Sequence, residues 1–136
     1  MIELLLLTVS LAAVAADVPF RMIVEGPHSG VEEPRTMVAR SEKEYLDLVK
    51  LLPPRLERPT IDFQSEMVAA VFVGSRPTAG FRVSVTRVRT EGNELMIEYA
   101  ERKPPPDSIV AQVLTSPFTV VAMARHDEPV RFERAK

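Results

Sequence analysis

The stretch Met67-Val-Ala-Ala-Val-Phe-Val-Gly-Ser-Arg-Pro-Thr-Ala-Gly-Phe-Arg-Val-Ser-Val85 decides the fold. From Met67 to Val73 every residue is apolar, the mark of a strand buried on both faces and therefore central to its domain. Further on the pattern changes. Phe81, Val83 and Val85 alternate with Arg82, Ser84 and Thr86, the period of two that places one strand face in the core and the other in water. Between the strands, Gly74 and Gly80 bracket a short loop that carries Arg76, Pro77 and Thr78.

Beyond Thr86 the phase slips. Val88 falls on the opposite parity with Arg87 and Arg89 outward, which predicts a β-bulge near Thr86-Arg87. Thr90 to Glu94 reads as a hairpin connection in which Gly92 and Asn93 can take positive φ, and Leu95, Ile97 and Tyr99 continue the inward face. Lys103-Pro-Pro-Pro-Asp107 is a rigid break. After it, residues 109–115 and 118–124 read as two more strands separated by Ser116-Pro117, and residues 130–132 as an edge strand. On the N-terminal side, residues 20–24 and 36–39 read as strands. Ser41-Glu-Lys-Glu44 has the form of a capping box, opening a helix to about Leu52 whose apolar positions Tyr45, Leu48, Val49 and Leu52 share one face; Pro53-Pro54 ends it. The expected class is α+β, mainly β: six to eight mostly antiparallel strands forming a sandwich or open barrel, with one helix near residues 41–52.

Composition narrows the function. With 136 residues, 46% hydrophobic and 26% charged, the chain has the length of one domain and needs no disulfide or metal staple. It has no cysteine, which excludes thiol catalysis, thiolate zinc sites and redox motifs. A formal charge of −2 argues against a broad nucleic-acid surface.

Residues 4–14 are almost wholly apolar, long enough for a signal-peptide core and too short to cross a bilayer as a helix. Ala13-Val-Ala15 and Val14-Ala-Ala16 set small residues where signal peptidase reads them. Residues 1–16 are therefore expected to be a signal peptide and 17–136 a single exported domain, periplasmic or extracellular, starting at Ala16 or Asp17. No cysteine follows to carry a lipid, so no membrane anchor is expected after cleavage. The other reading makes residues 4–14 a first buried element of the fold. Removing residues 1–16 takes away Glu3 and no base, leaving 18 acidic and 17 basic residues. A partner would then be recognised by local chemistry, since net charge steers weakly.

No catalytic constellation is visible. His126-Asp-Glu128 and His28 lack a second ligand cluster in sequence reach, no serine sits in a nucleophile elbow, and the Gly74 to Gly80 loop lacks the Gly-Lys-Ser/Thr of a phosphate loop. Neither catalytic residues, a metal nor a cofactor is expected. The loop itself is the candidate binding element: Arg76, Pro77, Thr78, Ala79, Gly80 and Phe81. Pro77 fixes its own φ and restricts Arg76, so little entropy is lost when the loop is immobilised on a partner. Arg76, Pro77 and Thr78 are expected to be exposed, and replacing Arg76 and Thr78 together should cost folding roughly 0.5 kcal/mol or less. The alternative is that Pro and Gly merely shape a tight connection.

Asp62-Phe-Gln-Ser-Glu-Met-Val68, Val71-Phe-Val-Gly-Ser-Arg-Pro-Thr-Ala-Gly-Phe81 and Gln112-Val-Leu-Thr-Ser-Pro-Phe118 with Val120-Val121 resemble, in order, the PrcB C-terminal domain family. The likeness covers roughly residues 62 to 124. It departs from the family at Ala79, where a second glycine is usual, and at Phe81, where tyrosine is usual. The resemblance implies a bacterial, exported, non-enzymatic domain that binds another protein, a secreted protease, as subunit, maturation factor or inhibitor. Arg76-Pro-Thr-Ala-Gly-Phe81 is also similar to one inhibitory loop of the chagasin-like protease inhibitors, over those residues alone. A periplasmic module for a peptide or small ligand is the alternative function.

Overall fold

The computed structural model describes residues 15–57 and 59–136. The expected signal peptide lies outside the described residues except for Ala15 and Ala16. Eight strands and one helix follow in the order β1 (Ala16–Asp17), β2 (Phe20–Gly26), β3 (Arg35–Ala39), α1 (Glu42–Val49), β4 (Glu66–Phe72), β5 (Arg82–Glu91), β6 (Glu94–Arg102), β7 (Phe118–Ala124) and β8 (Val130–Arg134). They form two four-stranded sheets, β2-β7-β4-β3 and β1-β5-β6-β8. Every pairing is antiparallel except β6 with β8. The sheets stack without closing into a barrel, which settles the class as an α+β sandwich.

Three layers explain the sequence patterns. The β2-β7-β4-β3 sheet lies in the middle. One of its faces, with Val68, Ala70, Phe72, Phe118, Val120 and Ala122, packs beneath Tyr45 and Leu48 of α1. Its other face, with Met67, Ala69, Val121 and Met123, meets Val88, Leu95 and Ile97 of the second sheet. Each fully buried Val, Leu, Ile, Phe or Met side chain among them contributes about 1.5–3 kcal/mol by leaving water. The paired central strands β4 and β7, register Met67 to Met123 through Phe72 to Phe118, therefore need apolar residues at consecutive positions. On its outer face the second sheet carries polar side chains of β5 such as Arg82, Ser84 and Thr86, and β5 alternates accordingly.

The bulge stands where the phase slip put it, between Val85 and Arg87. In the hairpin only Gly92 takes positive φ, at 60°; Asn93 does not. One strand is absent as a ladder element. Residues 109–114 contain neither helix, turn nor bend, but join no sheet, and only Thr115 and Ser116 form isolated bridges. The β6–β7 connection must cross from one sheet to the other, and Pro104, Pro105 and Pro106, which lack N–H groups, break pairing with β6. The helix begins at Ser41, whose hydroxyl oxygen accepts the Glu44 N–H at 3.2 Å and whose O–H faces the Glu44 carboxylate at 3.2 Å. α1 itself ends at Val49, and a tighter turn then carries the chain to Leu52. Among the described residues no helix is long and apolar enough to cross a membrane.

Candidate functional site

The six singled-out residues sit together at the end of the sandwich where β4 hands over to β5. Gly74 and Gly80 hold φ at +88° and +94°. A Cβ at Gly74 would come within 2.8 Å of the Glu32 carbonyl oxygen, and one at Gly80 within 2.8 Å of Pro104 Cβ; both positions need glycine for conformation and for space. The loop is fastened along its length. Ser75 N–H donates to Glu32 O at 2.9 Å, Arg76 N–H to Thr115 O at 2.8 Å, Thr115 N–H back to Arg76 O at 3.0 Å, and Ala79 N–H to Ala111 O at 3.0 Å. Thr115 Oγ1 donates to Thr78 O at 2.9 Å. The Thr78 hydroxyl donates to Ala79 O, also at 2.9 Å.

Arg76 does not project freely into solvent as expected. Its side chain is 23% exposed and bridges Glu101 at both oxygens, Nε to Oε1 at 2.5 Å and Nη2 to Oε2 at 2.8 Å. The Glu101 side chain is 1% exposed and takes a further bond from Arg134 Nη2 at 3.0 Å. Hydrogen bonding from Arg76 holds the Glu101 carboxyl below its ordinary range against the opposing cost of burial, helped by the charges of Arg76, Arg134 and Lys103; the same hydrogen bond raises Arg76. Arg76 is thus a cross-brace between the loop and β6. Pro77 is exposed, and Thr78, Ala79 and Phe81 are half-buried. Phe81 and Gly80 border a groove of about 350 Å³ with Glu25, Gly26, Pro27, Arg82 and Phe118.

Glu101 and residues 109–114 were not singled out from sequence. A signal for Glu101 existed, since it continues the inward parity of Leu95, Ile97 and Tyr99. The segment's place beside the loop had none, because the contact joins residues separated by the whole of β5 and β6. Next to the loop it exposes Ile109 fully, Leu114 at 77% and Val113 at 48%, an uncommon grouping of aliphatic side chains at one surface. His28 and His126 lie elsewhere: His28 bridges Ser116, and His126 Nδ1 is 2.8 Å from Ala124 O. Among the described residues no group of three His, Cys, Asp or Glu is placed to hold a metal ion.

Residues 67–124 match the PrcB C-terminal family, the family that the sequence resembles. The match runs from β4 to the end of β7 and so includes the loop, Glu101 and the exposed segment. No curated protein and no solved structure matches the chain.

Proposed function

We propose that the protein is an exported, non-catalytic interaction domain that binds a protein of a secreted protease complex through the Arg76 to Phe81 loop. The observation that carries this reading is the pre-organisation of the loop: backbone bonds at Ser75, Arg76 and Ala79, a side-chain brace at Arg76, and Pro77 turned to solvent. A loop already held in one conformation loses little entropy when a partner closes on it. The match to the PrcB C-terminal family supports association with a protease complex. Immobilised protein exposed to the native envelope fraction should retain a secreted peptidase or a component of its complex, identified by mass spectrometry. Pro77→Glu should abolish retention and Lys43→Glu, on the exposed side of α1, should not. Retention indifferent to Pro77→Glu, or no retention, overturns the reading.

Export belongs to the same proposal. Cleavage before Ala16 leaves β1 whole, and cleavage before Asp17 removes one of its two ladder positions. N-terminal sequencing of the protein recovered from its host should begin at one of these residues; an uncleaved cytosolic chain refutes export. The groove beside Phe81 favours a second reading, a module for a peptide or small ligand. That reading requires a ligand whose affinity falls when Phe81 or Arg82 is changed and which binds without a protein partner.

A further inference from the structure

We infer that residues 109–114 pair with the same segment of a second copy of this chain, in a two-fold antiparallel ladder centred on Gln112. Thr115 directs both its N–H and its C=O to Arg76, and Ala111 directs its C=O to Ala79. In straight backbone, alternate residues present their polar groups to the same edge, so the odd-numbered positions face the loop. Val110, Gln112 and Leu114 face away from it. Among the described residues nothing bonds to the backbone of these three. Among the described residues the segment therefore has one edge occupied at intervals and the other edge empty.

That empty edge is complementary to itself. Antiparallel pairing about Gln112 sets Val110 opposite Leu114 of the second copy, Gln112 opposite Gln112, and Leu114 opposite Val110. Each of these is a hydrogen-bonded pair that exchanges two bonds, about six in all. On the opposite face Ala111 meets Val113, and Ile109 lies across from Thr115. The apolar pattern reads alike in both directions, so exposed Leu114 covers Val110 and Val113 gains a neighbour. Charge and proline are the usual guards of a free edge. Between Ser108 and Thr115 there is neither, and the chain's formal charge of −2 gives two copies little mutual repulsion. The Arg76 to Phe81 loop stays on the far edge of each segment, so a dimer displays two such loops without covering Pro77. The inference stands independently of what those loops bind.

Sedimentation equilibrium of the purified protein, as its host produces it, should give a dimer at micromolar concentration. Gln112→Pro removes the N–H groups that meet at the two-fold axis, in a segment that supports no core. It should weaken association by about ten-fold or more, as expected when two ladder bonds go, with the monomer's unfolding midpoint unchanged. Because the chain has no cysteine, Gln112→Cys introduces one defined thiol, which a short bismaleimide should link across the axis; Lys50→Cys, at the end of the helix, should not link. A parent that stays monomeric when pure, whether or not another protein's strand captures the segment, overturns the inference. So does a dimer indifferent to Gln112→Pro, or linkage at Lys50→Cys with none at Gln112→Cys.

Discussion

Replacing Arg76 with methionine should destabilise the fold far more than an exposed loop residue would. The guanidinium donates to both carboxylate oxygens of Glu101, whose side chain is 1% exposed. Without it, Oε1 loses its 2.5 Å partner and the carboxylate keeps only Arg134 at 3.0 Å on Oε2. Removing one member of a buried pair costs about 3–5 kcal/mol. The surviving Arg134 bond and the partial exposure of the Arg76 side chain, 23%, lower this to about 2–3 kcal/mol, since each hydrogen bond to a charged group is worth about 1.5–3 kcal/mol. Urea unfolding at pH 7 reads the loss as a midpoint shift of roughly 1–1.5 M for a typical slope near 2 kcal/mol per M. Arg76→Met combined with Glu101→Leu should recover at least half of it, because no charge is then left buried without its partner. A change of about 0.5 kcal/mol or less for Arg76→Met, the size typical of surface substitutions, would refute the cross-brace, as would a double variant no more stable than the single one.

The pH dependence follows from the same group. The folded Glu101 carboxyl is held below its ordinary value of 4.5, so the folded state binds fewer protons than the unfolded state and stability rises with pH in that range. The stability advantage of the parent over Glu101→Gln should be complete above pH 4.5 and shrink as pH falls through the folded value, read by denaturant unfolding at stepped pH; an advantage that grows on acidification contradicts this. Gly80→Ala should cost about 1–3 kcal/mol in the same assay, from a positive φ and a Cβ driven into Pro104, and a neutral result would mean that the loop relaxes freely. Among the described residues Thr119 Oγ1 is buried with no hydrogen-bond partner, so Thr119→Val should raise stability by about 1 kcal/mol, whereas a loss would reveal a buried water serving that hydroxyl. Ser41→Ala should cost about 1 kcal/mol through the lost helix cap, checked by thermal unfolding, and an unchanged midpoint would show that Glu42 and Glu44 alone suffice at the helix start.

The sequence by itself determined the elements whose signal is local. Seven apolar residues from Met67 fixed a central strand, the parity change between Val85 and Val88 fixed a bulge, and Ser41 with Glu44 fixed the helix start. Each depends on neighbours a few positions away, so spacing alone carries the information. The same reasoning set the six candidate loop residues apart from the rest of the chain. Tertiary structure decided what those residues contact. Residues 109–114 have the composition of a strand, but strand propensity does not provide a partner, and the proline-rich passage before them carries the backbone away from β6 to lie against the loop. Arg76 read as a free cation because its counter-charge lies 25 residues further on, at the end of another strand. Strand parity already turned Glu101 inward; only the tertiary structure brings the Arg76 loop onto it, where the guanidinium offsets the cost of a buried carboxylate.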